Sequence, residues 1–127
     1  MLEKAKDAIR AALEMRRRAA SARALRQGGR HVTRAELAAG LARLGVAQGD
    51  VLFVHSSLKS LGYVEGGALT VIRALQDAVG PQGSLLLPTY YLPGGSVRAT
   101  CELPGYVFDP RRHGTHMGRL PEAFLAS

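Results

Sequence analysis

The chain of 127 residues has a single cysteine, Cys101, which excludes an internal disulfide and agrees with a reducing compartment. No apolar run approaches the roughly 20 residues that span a bilayer. Apolar residues near the N-terminus are broken up by charge, so no signal-peptide core is expected either. A soluble, cytoplasmic protein is the default expectation. The glycine spacings of phosphate loops are also missing: Gly62 and Gly66-Gly67 fit neither a Walker loop nor a dinucleotide fingerprint. No Gly-x-Ser-x-Gly elbow occurs, which disfavours a serine hydrolase. His113 and His116 lie three residues apart on a glycine-containing loop, with no nearby cysteine and no third ligand, so no metal site is expected.

What is present suffices for one compact domain, since 46% of the residues are hydrophobic. The net charge of +7 is unevenly placed. Residues 1–30 carry nine Lys/Arg against three acids, and the remainder carries eight against seven. The basicity therefore belongs to an appendage on a nearly neutral body. That appendage is rich in Ala, Leu, Arg and Glu, all good helix formers, and Gln27-Gly28-Gly29 is a natural stop. Leu2, Ala5, Ile9 and Leu13 fall near one face of this helix, which is expected to lie loosely on the domain. It carries no aromatic residue to stack on bases. The division expected is a basic helical extension over 1–30 and a domain over 31–127.

From Val32 the pattern tightens. Thr33-Arg34-Ala35-Glu36 has capping-box spacing, and Leu37, Leu41 and Leu44 form a stripe that Gly45 ends. VLFV, from Val51, reads as a strand buried on both faces. A helix is predicted over 67–79 with Leu69, Ile72, Leu75 and Val79 inward; Gly80-Pro81-Gln82-Gly83 breaks it, and SLLLP is a second strand. Two strands joined through a helix are expected to be parallel in an α/β layered fold. Residues after Thr89 show little periodicity and read as a long functional or disordered loop. In it, Asp109 is placed to cap a turn or to hold Arg111 and Arg112. Pro121 and Glu122 then suit the first turn of a closing helix.

The first strand runs into His55-Ser56-Ser57-Leu58. In open α/β sheets ligands gather beyond the carboxyl ends of strands, and two hydroxyls there suit a phosphate, an amide or a thioester oxygen, although serines also commonly satisfy loop backbone. The succession VTRAELAAGLARLGVAQGDVLFVHSSLKSLGYVEGGALTVIRALQDAVGPQGSLLLPTYY and then VFDPRRHGTHMGRLPEAF resembles the aminoglycoside 3-N-acetyltransferase family, also called the antibiotic N-acetyltransferase family. The resemblance runs from Val32 to Phe124. It implies a three-layer α/β/α fold with a mixed, largely parallel sheet, distinct from the GNAT fold and truncated here. It implies acetyl transfer from acetyl-CoA to a substrate amine, in aminoglycosides the 3-amine of the deoxystreptamine ring. Carried over by position, His55, Ser56, Ser57 and Leu58 match one CoA-proximal element. Thr115, Met117 and Gly118 match a second, and Thr89 and Tyr90 match the segment near the reacting centre.

Two departures accompany the resemblance. His113-Gly114 stands where the family often has small residues or proline. The family's Arg-Ser-x-His-Pro motif, whose histidine is the expected general base, is not matched by His31, His55, His113 or His116. No catalytic residue is therefore assigned, and the chain is expected to be inactive alone, an N-terminal half of the acetyltransferase domain. The alternatives are a non-catalytic CoA- or partner-binding remnant and a basic-helix nucleic-acid binder. Acetyl-CoA and an amine are the expected partners. Nucleic acid and membrane are not, and a homo-oligomer remains open.

Overall fold

The computed structural model describes residues 2–127, with side chains from Ala5 onward. Helix α1 (Leu2–Gly28) is followed by β1 (His31–Val32), α2 (Arg34–Arg43) and β2 (Val51–Phe53). A short 3₁₀ turn (Leu58–Leu61) leads into β3 (Tyr63–Val64), α3 (Gly67–Val79) and β4 (Ser84–Leu86). Three short helices, α4 (Val97–Cys101), α5 (Pro110–His113) and α6 (Arg119–Leu125), complete the order.

Local chemistry explains most of these boundaries. At the start of α2 the Thr33 hydroxyl accepts from the Glu36 amide at 3.2 Å, and the Glu36 carboxylate accepts from the Thr33 amide at 2.8 Å, the reciprocal pair the sequence predicts. The Thr33 amide, and with it the Thr33 hydroxyl donating at 3.0 Å, hold the Glu36 carboxyl below its ordinary range. Arg34 then ties α2 to α3, its Nε donating to Asp77 Oδ2 at 3.0 Å alongside a second contact through Nη2. Asp109 both caps and pairs at α5: Oδ1 accepts from the Arg111 amide at 2.9 Å, and Oδ2 lies 3.4 Å from Arg112 Nε.

β2 and β4 are parallel in the register Val51↔Ser84, Leu52↔Leu85 and Phe53↔Leu86, as expected for strands joined through a helix. A second parallel pair, β1 with β3, is not legible in the sequence. It depends on Gly62, whose φ is +94° and whose missing side chain lets the Arg30 carbonyl oxygen come close; a Cβ there would sit 2.5 Å from that oxygen. The core gathers Val32, Val64, Val71, Ile72, Leu75 and Leu120, with Leu52 and Leu85 turned toward it from the sheet.

Several expectations need correction. VLFV is not buried on both faces: Val51 is 73% exposed and Phe53 57% exposed, because a sheet of two strands has helices against one side only. Leu69 is 49% exposed, and Val71 and Ala74 take the inward arc of α3 instead. Leu44 caps the end of α2 and is exposed, so the α2 stripe reduces to the half-buried Leu37 and Leu41. On α1, Ile9 and Leu13 face solvent, while the side chain of Leu2 lies outside the described residues. Among the described residues no helix is long and apolar enough to cross a membrane.

Candidate functional site

The carboxyl ends of β2 and β4 start the two segments of interest. β2 leaves the sheet with the Val54 amide donating to the Leu86 carbonyl at 2.9 Å. His55 then meets the Phe53 ring edge-on, with centroids 4.8 Å apart. Ser56 and Ser57 are exposed, and their hydroxyls make no hydrogen bond among the described residues, so they are available to a ligand. The Ser57 carbonyl instead accepts from the Ser60 amide at 3.0 Å and opens the 3₁₀ turn, which places Leu58 half-buried against the core.

β4 leads through buried Pro88 to Thr89 and Tyr90. The Tyr90 carbonyl accepts from the Thr115 hydroxyl at 3.2 Å and from the His116 amide at 2.6 Å. Thr115 Oγ1 also accepts from the Met117 amide at 3.0 Å, and the Leu92 amide donates to His116 Nδ1 at 3.3 Å. The segment from Thr115 to Gly118 is thus sewn to the exit of β4. Around it the Tyr91 ring stacks on His113 with centroids 5.2 Å apart, and the Tyr106 hydroxyl donates to the Tyr91 carbonyl at 3.0 Å. The long stretch after Thr89 is therefore an organised loop, built from polar and ring contacts that have no sequence period.

These segments bound a cleft of about 840 Å³. Leu58, Lys59 and Tyr63 form its floor, and Thr115, His116 and Gly118 one wall. The opposite wall is α1, through Arg17, Arg18, Ser21 and Leu25. Of the residues singled out in the sequence, the fold brings Leu58, Thr115 and Gly118 together here. His55, Ser56, Ser57, Met117, Thr89 and Tyr90 do not line the cleft; they lie along the strand exits beside it. Lys59, Tyr63 and Arg119 also line the cleft without having been singled out in the sequence, although Lys59 directly follows Leu58. His113 and His116 share the Tyr91 ring, and the described residues hold no group of three or more candidate metal ligands.

A cleft of this size, whose lining mixes apolar Leu58 and Ala68 with basic Arg17, Arg18, Lys59 and Arg119, is the kind of concave site in which α/β domains hold ligands. Comparison with known proteins says which such domain this is. The family model for aminoglycoside 3-N-acetyltransferase matches residues 53–127, and the chain belongs to that family. Aminoglycoside N(3)-acetyltransferase VIII of Streptomyces fradiae is 38% identical over 112 residues, covering 78% of this chain and 38% of that protein. The crystal structure of aminoglycoside acetyltransferase AAC(3)-Xa superposes with a TM-score of 0.64 at 37% identity, over 84% of this chain and 41% of the other. AAC-IIIb in its binary complex with CoASH gives 0.58 at 34% identity, over 77% and 40%. The chain thus spans about two fifths of the length of these relatives.

Proposed function

We propose that residues 31–127 supply the acetyl-CoA side of an aminoglycoside 3-N-acetyltransferase, within a three-layer α/β/α domain whose sheet is mixed and largely parallel, and that residues 1–30 are a helical extension upon it. The observation that carries this reading is the cleft itself, which joins Leu58 to Thr115 and Gly118 across the fold. A relative whose structure holds CoASH supports the choice of donor.

In the reaction an amine attacks the thioester carbon, the C–N bond forms, and the carbonyl oxygen becomes an oxyanion. The C–S bond then breaks, the amine proton is lost, and CoA leaves as a thiol. Hydroxyls and amides aimed at the oxyanion lower this barrier because they favour the charge that develops. Ser56 and Ser57, with free hydroxyls at the strand exit, are the groups here suited to that role; His55 precedes them, and Met117 stands in the second CoA-proximal segment. Thr89 and Tyr90 hold the second exit, on the side from which the acceptor amine would approach. An ammonium ion is not a nucleophile, so a base must take its proton. His31 Nε2 lies 2.8 Å from the Arg26 carbonyl oxygen, and His113 and His116 accept from backbone amides. None of the four histidines pairs with a carboxylate among the described residues. These residues therefore bind and polarise the donor without supplying the oriented base.

Calorimetric titration with acetyl-CoA tests the donor role, and thiol release in the presence of a kanamycin-type aminoglycoside tests the missing base. Saturable binding without thiol release is expected. Leu58→Glu, which sets a carboxylate on the cleft floor, should weaken binding at least about tenfold. Absence of binding to the unsubstituted chain overturns the reading, and sustained thiol release overturns the claim that these residues supply no oriented base.

A further inference from the structure

The stripe that α1 turns toward the cleft is Glu14, Arg17, Arg18, Ser21, Ala22 and Leu25. Spacings of three and four residues put these side chains on one face of the helix. A helix attached to a domain for stability alone lays its apolar stripe on the core. α1 departs from that: Ile9, Leu13 and Met15 are all more than half exposed, and the face lining the cleft carries exposed Glu14, Arg17 and Arg18 beside Ala22 and the half-buried Ser21 and Leu25. Its C-terminal end is fixed to the body. Arg26 stands over the Tyr63 ring at 5.8 Å, His31 packs on the same ring at 5.0 Å, and the Gly29 amide closes the last turn on the Leu25 carbonyl at 2.8 Å. The polar face therefore lines the same cleft as Lys59 and Arg119.

The charges around this cleft do not balance. Four cations, Arg17, Arg18, Lys59 and Arg119, meet two carboxylates, Glu14 and Glu122. Arg17 and Lys59 have no ion pair among the described residues. Arg18 lies 4.0 Å from Glu14 and 3.8 Å from Glu122, and Arg119 lies 4.0 Å from Glu122. Charge-assisted hydrogen bonds are shorter, about 2.7–2.9 Å, so these loose pairs leave donors free for an anion. Arg17 and Arg18 also precede the stretch 53–127 that the family model matches.

We propose that α1 is a phosphate-binding wall of the donor cleft: Arg17 and Arg18, together with Lys59 and Arg119, grip the phosphates at the nucleotide end of CoA while the apolar lining at Leu58 and Ala68 takes the pantetheine arm. The proposal rests on the donor-site reading above. Planar guanidinium groups suit phosphate because two parallel N–H bonds reach two oxygens at once. One oxygen of Glu122, Oε2, is shared loosely by Arg18 at 3.8 Å and Arg119 at 4.0 Å, which keeps the two guanidinium groups near each other.

The test is calorimetric titration of the unsubstituted chain and of the double variant Arg17→Ala/Arg18→Ala, with acetyl-CoA and with S-acetylpantetheine, which has no phosphate. Alanine preserves helix propensity, and far-UV circular dichroism verifies that α1 is intact. Loss of the two arginines should weaken acetyl-CoA binding about tenfold or more, flatten its dependence on salt, and leave S-acetylpantetheine binding unchanged. Arg17→Lys/Arg18→Lys should recover part of the affinity, since charge returns without the fork. If acetyl-CoA binds both chains equally, or with the same salt dependence, the phosphate wall is overturned and the donor site stands. Equal weakening for both ligands also overturns it, because the helix would then act on the shape of the cleft. Failure of the unsubstituted chain to bind acetyl-CoA overturns both.

Discussion

Replacing Leu120 by alanine probes the joint between the core and the site. Leu120 is 1% exposed, sits in the same cluster as Ile72 and Leu75 of α3, and lies two residues beyond Gly118. Truncation removes three carbons from a filled interior. Buried Leu→Ala changes cost about 2.7–5 kcal/mol, less where the surroundings can collapse into the gap. Here one wall of the gap is α6, a helix of seven residues that can settle inward, so the expected cost is near the lower bound, about 3 kcal/mol. That is a factor of about 150 in the folding equilibrium, and at a urea dependence of about 2 kcal/mol/M it moves the midpoint by about 1.5 M. Urea unfolding followed by far-UV circular dichroism measures it, with Leu125→Ala as the control. Leu125 shares the helix but is 38% exposed and should cost less than about 1 kcal/mol. Equal losses at 120 and 125, or a loss under about 1 kcal/mol at 120, would refute the placement of α6 in the core.

Gly62→Ala puts a Cβ against the Arg30 carbonyl in a left-handed conformation, and should cost about 1–3 kcal/mol. Its signature is faster hydrogen exchange at the Tyr63 and Glu65 amides, which bond across β1–β3; unchanged protection would contradict the close approach. The lowered Glu36 carboxyl predicts an acid-sensitive α2. Its folded-state pKa lies below the unfolded one, so its contribution is complete above the unfolded value, about 4.3, and is lost as pH falls through the folded value. Thermal melts from pH 6 down to 3 should show a shallower acid dependence for Glu36→Gln than for the unsubstituted chain, and identical profiles would count against the capping box. His113→Ala removes the ring stacked on Tyr91 and the acceptor for the Asp109 amide. Limited proteolysis should then cut between 91 and 112 at a higher rate, with the urea midpoint little changed.

Elements with local signals were legible from the sequence. The Thr33–Glu36 box marks the start of α2, the period of α3 and its glycine stop give 67–79, and apolar strand formers around a helix give the parallel β2–β4 pair. The β1–β3 pair was hidden because two residues per strand carry no period and its register depends on a backbone contact between Arg30 and Gly62. Leu69 and Val51 were placed inward because apolar character was read as burial, which fails wherever a layer has one covered side. At the site, the polar end of β2 could be seen, but the partnership of Leu58 with Thr115 across the cleft is a product of folding. The cleft-lining face of α1 is hidden for a related reason: apolar spacing marks the opposite kind of face, and this one is largely charged.

The uncovered side of the β2–β4 sheet separates two properties that usually move together. Val51, Phe53 and Leu86 present their side chains to solvent, so they contribute little to the free energy of folding and much to what the folded molecule adheres to. Colloidal behaviour of this protein is then set by a patch on which conformational stability scarcely depends. Lysine at position 53 would make the chain more soluble without making it more stable, and a high melting temperature would give no assurance that concentrated solutions stay clear.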